Sequence, residues 1–438
     1  MNIIEKIRNA GVVGAGGAGF PTDRKLACHA EIFIVNGIEC EPLLRVDRIA
    51  MEDNAPRIVD TVKILKEHLG AERAVIALKG HYEKAAAALR EAVAVSDRES
   101  GSDIEIYLSE SFYPAGDEQN LVYSITGRTV PTGGIPLDVG CVVSNVSTVL
   151  NIADALEGHP VTDKTVTVGG SVSKPVTITC PIGTPLSALL QAAGGPIGDC
   201  TYIVGGPLMG RITDDLSEPV TKTTGGLLAI PKGHKLLAEK VLTEWDIKLA
   251  KAVCSQCSFC TQMCPRNAMG LNVQPHKAMR AMASCNDLLL GDVNGVFSCC
   301  DCGLCTYYAC NFGLRPGKAM LRAKAALQQR GIRPVKQVKY PADKDLGTRR
   351  VPTERLISRL DLAKFDKDAP MGGYIDSTSV VIPLKMHIGG PSKPTVTVGS
   401  KVVKGDLIAV PEGMGANIHA SVSGTVTSVT DTFIKIEG

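Results

Sequence analysis

The chain has 438 residues, a length that suits about three domains at ~150 residues each. Its 47 lysines and arginines nearly balance 45 aspartates and glutamates, with no block of like charge, which argues against the basic footprint of a nucleic-acid binder. Aromatic residues make up only 4%, so a base-stacking surface is not indicated either, and no apolar run approaches the ~20 residues that span a bilayer. The opening MNIIEKIRNAGVV lacks the apolar core and cleavage site of an export signal. With fifteen cysteines in the chain, this points to a reducing cytoplasm.

That opening reads as a short packed helix with Ile3, Ile4, Ile7 and Ala10 on one side. Residues 14–19, Gly-Ala-Gly-Gly-Ala-Gly, then satisfy G-x-G-x-x-G. Only Val12 and Val13 precede them as strand, and Phe20-Pro21 interrupts the helix that should follow, so an ordinary dinucleotide fold is not implied. What survives is backbone able to approach a flat or phosphorylated ligand with its amides exposed. A tight turn between packed elements is the alternative.

The β-rich runs EIFIVN (31–36), RAVIAL (73–78) and IEIYL (104–108) alternate with helical segments at 55–69 and 82–95. That order predicts a layered, largely parallel sheet across residues 1–155. Open α/β sheets place ligands where strands end. Polar residues gather at such points: Asn36, Glu39 and Glu41; then Tyr113-Pro114-Ala115-Gly116-Asp117-Glu118; then Ser144-Asn145-Val146-Ser147-Thr148. They suit a ribose, a flavin ring and a phosphate, and would equally serve as loops and caps.

Residues 160–235 change character. TVTVGG and KPVTITC read as strands, LSALLQAAGG as a helix and YIVGGPLMG as a further strand and turn, a small α+β module. Residues 240–335 read as helical and carry two cysteine ladders. Cys254, Cys257, Cys260 and Cys264, followed by Pro265, spell C-x2-C-x2-C-x3-C-P, the bacterial run for cubane iron–sulfur ligation. Cys299, Cys302, Cys305 and Cys310 form the second, with four residues before the last cysteine, Asn311 in place of proline, and Cys300 beside Cys299 as a competing ligand. In two-cluster proteins the fourth cysteine of each run reaches the neighbouring cluster. The expected sets are therefore Cys254, Cys257, Cys260 and Cys310, and Cys299, Cys302, Cys305 and Cys264, holding two [4Fe-4S] centres that pass electrons singly. Zinc and disulfides are the rivals, but structural zinc usually takes two separated pairs. Residues 335–375 look like a connecting segment. From 378 onward, valine-rich strands alternate with turn signals, a small all-β module at 375–438.

These motifs carry a resemblance. GAGGAGFPTD (14–23) is similar to the glycine loop of the flavin-bearing, NADH-oxidising subunit of respiratory complex I, and VNGIECEP, YPAGDE and VSNVST resemble its next three motifs in the same order. GGPLMG (205–210) resembles a hallmark of RnfC subunits of membrane-associated NADH:ferredoxin complexes. The ladders CSQCSFCTQMCP and CCDCGLCTYYACNFGL, with the C-terminal β module, look most like the cobalamin reductases of propanediol-utilisation microcompartments, within that RnfC and complex I flavin-subunit-like family.

The resemblance implies a multidomain α/β and α+β protein. Its parts would be a complex I flavoprotein-like, Rossmann-type FMN/NADH-binding domain (1–155), a β-grasp domain (160–235), a helical ferredoxin-like dicluster domain (240–335) and an all-β barrel-sandwich hybrid (375–438). Carried over residue by residue, the backbone of Gly14, Gly16, Gly17 and Gly19 contacts the nicotinamide nucleotide and Phe20 stacks on a ring. Lys25, Asn145 and Thr148 hold flavin phosphate and ribityl groups. Asn36, Glu39, Glu41, Gly116 and Glu118 line the pocket. The hairpin at 419–424 has no lysine to carry a lipoyl group, so the last module is expected to be structural or a docking site.

The implied activity is NADH oxidation through FMN and two [4Fe-4S] clusters, reducing cobalamin for a B12-dependent diol dehydratase pathway, with no side chain needed as acid or base. The implied place is the cytoplasm or the inside of a microcompartment, whose shell or pathway enzymes would be partners. One alternative is an RnfC-like adaptor passing electrons between NADH and ferredoxin or another redox protein. Another is a non-enzymatic iron–sulfur scaffold in which the glycine loop is only a turn.

Overall fold

In the computed structural model, which describes residues 2–101, 103–338 and 340–438, the first part of the chain runs α1 (Ile3–Asn9), α2 (Thr22–Leu26), β1 (Ile32–Gly37), α3 (Val46–Leu69), β2 (Arg73–Lys79), α4 (Glu83–Ser100), β3 (Ile104–Ser109), β4 (Phe112–Tyr113), α5 (Glu118–Thr126), β5 (Cys141–Asn145) and α6 (Val146–Leu156). An Asn2–Glu5 capping box starts α1, which buries Ile7. Helix α3 kinks at Asn54, two residues before Pro56, because the proline ring cannot fit the turn behind it.

Four parallel strands form a sheet of order β3-β2-β1-β5. Successive side chains of a strand point to opposite faces, and central β1 is buried on both. Phe33 and Val35 join the apolar cluster of α3, α4 and α6, while Ile32 and Ile34 pack with Leu121 and Val122 of α5. Continuous apolar runs are what such a doubly covered parallel strand requires. The glycine loop joins α1 to α2 instead of a strand to a helix, and it is closed by a Val13–Pro21 bridge.

The second part comprises β6 (Asp163–Gly170), β7 (Val176–Pro181), α7 (Leu186–Ala192), β8 (Cys200–Val204), β9 (Arg211–Thr213) and β10 (Gly226–Pro231), in the order β7-β6-β10-β8-β9. Leu186, Leu189 and Leu190 of α7 fill its core. The cysteine region is helical: α8 (Lys235–Glu239), α9 (Glu244–Val253), α10 (Phe259–Gln262), α11 (Pro275–Ser284), α12 (Val293–Phe297) and α13 (Pro316–Gln329).

Residues 335–375 do more than connect. Here lie β11 (Val351–Pro352), α14 (Thr353–Arg359) and β12 (Met371–Tyr374). Strand β11 pairs antiparallel with β4, and β12 extends the second sheet as a parallel neighbour of β7. With Leu356 and Ile357 of α14 clustered with Leu304 and Tyr307 of the cysteine region, the segment is a strap across three parts of the molecule. Strands this short show no alternation in the sequence.

The last part holds β13 (Ser379–Pro383), β14 (Ser392–Pro394), β15 (Lys401–Val402), β16 (Leu407–Pro411), β17 (Ile418–His419), β18 (Gly424–Val429) and β19 (Phe433–Glu437), in two sheets ordered β13-β19-β18-β15 and β14-β16-β17. Its interior, including Val380, Ile382, Ile434 and Ile436, is continuous with the apolar cluster of the first part. The fold class is the expected mixture of α/β, α+β, helical and all-β parts. Among the described residues no helix is long and apolar enough to cross a membrane.

Candidate functional site

The two ladders share one backbone plan. In the first, Gln256 and Ser258 take positive φ (58° and 61°); in the second, Asp301 and Gly303 take 58° and 71° at the matching positions. Left-handed residues on both sides of a cysteine curl the chain around a centre. Each ladder is then followed by a helix with proline in its first turn, α11 at Pro275 and α13 at Pro316. Pro316 thus stands to the second ladder as Pro275 stands to the first, and Pro265 has no counterpart at Asn311.

The cysteines ring two cavities. Cys254, Cys257, Cys260 and Cys310 line one, with Leu314 and Pro316. Cys264, Cys299, Cys302 and Cys305 line the other, with Cys300, Val273 and Pro275. The last cysteine of each run has crossed to the other set. No three Cys, His, Asp or Glu side chains among the described residues converge to hold a single ion; the thiols surround voids. Burial pushes the Cys260 thiol up to about 12, and Cys310, Cys257 and Cys254 add to the effect. Four crowded, desolvated sulfurs call for a positively charged core, which an iron–sulfur centre supplies. Cys300 differs: its thiol is lowered, chiefly by a hydrogen bond with Cys302.

The second set is fastened to the sheet domain. Arg266, two residues after Cys264, grips Asp117 through Nε–Oδ2 (2.8 Å) and Nη2–Oδ1 (2.6 Å). Tyr113 donates its hydroxyl to the Cys302 carbonyl at 2.8 Å. Both partners belong to the YPAGDE loop. The first set faces outward: Cys257 is exposed, and the Phe312 side chain beside it is half exposed.

Most residues expected around a flavin and a nucleotide meet at the carboxyl ends of β1 and β5. Ala15 N–H donates to Thr148 Oγ1 (2.9 Å), and Gly16 lies so close to Asn145 that a Cβ there would sit 2.6 Å from its Nδ2. Asn36 Nδ2 donates to the Gly116 carbonyl (2.9 Å). Lys25 Nζ reaches Glu118 Oε1 (3.0 Å) and the Val143 carbonyl (2.8 Å). Gly14 N–H donates to the Phe20 carbonyl, and Gly16, Gly17, Ala18 and Phe20 are exposed. Among the described residues the N–H groups of Gly16, Gly17 and Ala18 have no protein acceptor. Ser144 Oγ and Glu39 Oε2 are buried without a hydrogen-bond partner. Free amides on glycine backbone beside orphaned oxygens suit a flat, phosphorylated ligand, the class to which flavin and nicotinamide nucleotides belong.

Two of the expected pocket acids already hold protein donors. Glu41 accepts the N–H groups of Leu208 (2.8 Å) and Met209 (2.9 Å), so it clamps the GGPLMG loop, and Gly206 leaves it room. Glu39 is sealed in, with Oε1 accepting from Asp47 N–H. Burial and the Asp47 charge push its carboxyl up to about 8.

Three lysines escaped the sequence reading. Lys164 donates to Ala15 O (3.0 Å), Lys222 to Gly11 O (2.6 Å) and Asn417 O (2.7 Å), and Lys240 to Leu208 O (2.9 Å) and Gly210 O (2.6 Å). The signal for Lys164 was available: it shares a strand face with Val166 and Val168, an inward position. Asp47, which accepts from Asn145 Nδ2 (2.8 Å) and Ser147 Oγ (3.0 Å), carried no such mark.

Four family descriptions match along the chain: the Nuo51 FMN-binding domain (residues 7–154), the SLBB domain (165–212), the 4Fe-4S dicluster domain (253–315) and the RnfC barrel sandwich hybrid domain (362–437). A cobalamin reductase PduS of Salmonella typhimurium is 40% identical over 99% of this chain and 96% of its own. One of Citrobacter freundii is 39% identical over 100% of this chain and 96% of its own. One component of the proton-translocating ferredoxin:NAD(+) oxidoreductase complex of Clostridium ljungdahlii is 40% identical over 34% of this chain and 33% of its own. The chain belongs to the cobalamin reductase PduS family, a flavin and iron–sulfur electron-transfer group that shares its domains with RnfC and the flavin-bearing part of complex I.

Proposed function

We propose that this protein oxidises NADH and delivers single electrons to cobalamin. Bound FMN supplies the conversion, since a flavin accepts a hydride and gives up its electrons one at a time. The residues assigned to it are Asn36, Gly116, Asn145, Thr148 and Lys25, with Glu118 holding Lys25 in position. Free amides at 16–18 and the exposed Phe20 ring are assigned to the dinucleotide. The eight ladder cysteines hold two [4Fe-4S] centres, one per cavity.

Chain geometry supports a direction. The set of Cys264, Cys299, Cys302 and Cys305 is bolted to the flavin side by Arg266 and Tyr113, while the set of Cys254, Cys257, Cys260 and Cys310 reaches the surface at Cys257. Entry at the former and exit at the latter follows. Asp117–Arg266 carries this reading, because it ties the flavin loop to the residue two beyond a ladder cysteine.

The test is anaerobic: about eight irons and one FMN per chain are expected from two cubanes and one flavin site, and NADH should bleach the cluster absorbance and reduce cob(III)alamin. Flavin-free protein, or protein whose colour NADH leaves unchanged, would overturn the proposal. An adaptor role between NADH and ferredoxin is the second reading, favoured by the likeness to the Clostridium protein. Turnover with ferredoxin but not with cobalamin would establish it. Residence in a microcompartment is part of the first reading and rests on the relatives' family alone.

A further inference from the structure

The C-terminal β module reaches the glycine loop. Ile388 N–H donates to the Ala18 carbonyl at 3.2 Å. At Gly19, whose φ is +74°, a Cβ would stand 2.9 Å from His387 Cβ and 2.9 Å from Thr223 Cγ2, so the loop is pressed against the module with no room for a side chain. At the loop's entry, Lys222 Nζ bridges the Gly11 and Asn417 carbonyls.

The contacting turn is built to be rigid. His387 Nε2 accepts the Ala416 N–H at 2.9 Å, Gly390 N–H donates to Met414 O at 3.3 Å, and Gly389 (φ +128°) passes so close to Met414 that a Cβ would collide with its carbonyl. Two turns, at 387–390 and 414–417, are zipped together and present Ile388. That side chain is 41% exposed, as is the Phe20 ring at 38%. Two large apolar side chains therefore stand open near the Ala18–Ile388 backbone bond, one on Ile388 itself and one two residues beyond Ala18, in the loop whose amides lack acceptors. Water is a poor partner for such a pair, whereas a flat ring suits it.

We infer that the 387–390 turn is a wall of the dinucleotide site, and that Ile388 is a positioning residue which holds the loop and packs on the nicotinamide nucleotide. This rests on the NADH assignment above. It gives the last module a part in substrate binding in place of a purely structural or docking role.

Hydrogen–deuterium exchange on the FMN- and cluster-loaded full chain tests it. NADH should slow exchange at residues 385–391 as well as at 14–20. Protection at 14–20 alone would overturn the inference and leave the NADH assignment standing, whereas protection at neither would remove both. In steady state, Ile388→Glu should raise the KM for NADH about tenfold, the scale of one lost apolar contact. Its kcat with a dye, its FMN content and its dithionite-reduced spectrum should stay as in the parent, and Ile388→Leu should restore KM. An unchanged KM in Ile388→Glu would sink the proposal.

Discussion

Where the sheet domain meets the cysteine domain, Arg266 grips a carboxylate through two bonds of 2.6 and 2.8 Å, with side-chain exposures of 9% and 12%. Where the same domain meets the β-grasp and C-terminal parts, Lys164 and Lys222 are buried as well, yet their hydrogen bonds go to backbone carbonyls. One junction neutralises its cation with a full opposite charge. The other gives Lys222 only partial dipoles and adds for Lys164 the charge of Asp47, which leaves most of the desolvation penalty standing. Burial pushes Lys222 down to about 7 and Lys164 to about 8, and Lys240 falls to about 8 for the same reason. The lysine junction is thus stabilised as its protons leave.

The largest expected effect probes the ionic junction. Arg266→Ala strands Asp117 and should cost ~3–5 kcal/mol in anaerobic urea unfolding. Arg266→Lys should recover only part, because an ammonium cannot make the forked contact. A loss below ~1 kcal/mol would mean the pair is no fastener.

The lysine junction should respond to pH with a definite sign. Between about 7 and the ordinary 10.5, the unfolded chain binds a proton at Lys222 that the folded chain does not, so stability rises with pH through that window. The slope is at most ~1.4 kcal/mol per pH unit for one lysine. Glu39, held up to about 8, works the opposite way below that value, so the comparison between parent and variant is the informative one. Lys222→Met should gain less than the parent between pH 7 and pH 9. Equal gains would show that Lys222 is not strained by burial. The smallest effect returns to the ionic side: Tyr113→Phe removes one hydrogen bond to Cys302 and should cost ~1 kcal/mol in the same unfolding assay.

Much of this was legible in the sequence because it is local. The ladders fix their own spacing, and the runs 31–36 and 73–78 announce buried parallel strands by their unbroken apolar character. Crossing of Cys264 and Cys310 followed from the motif, and the cavities have that composition. What stayed hidden is long-range. Arg266 and Asp117 are 149 positions apart, and neither neighbourhood hints at the other. Glu41 ended its motif like a pocket residue, yet it spends both oxygens on a loop more than 160 positions away. Strands β11 and β12 owe their existence to the edges they meet, not to any alternation of their own.

The Ala18–Ile388 bond joins residues far apart in the order of synthesis. On a ribosome, the parallel sheet can close once residue 156 has emerged, because its strands and covering helices are then all in hand. The glycine loop cannot take its final shape until the turn at 387–390 arrives much later, and domains generally fold as their chain becomes available. Nascent protein therefore waits with its glycine loop unbraced until residues 387–390 have been made.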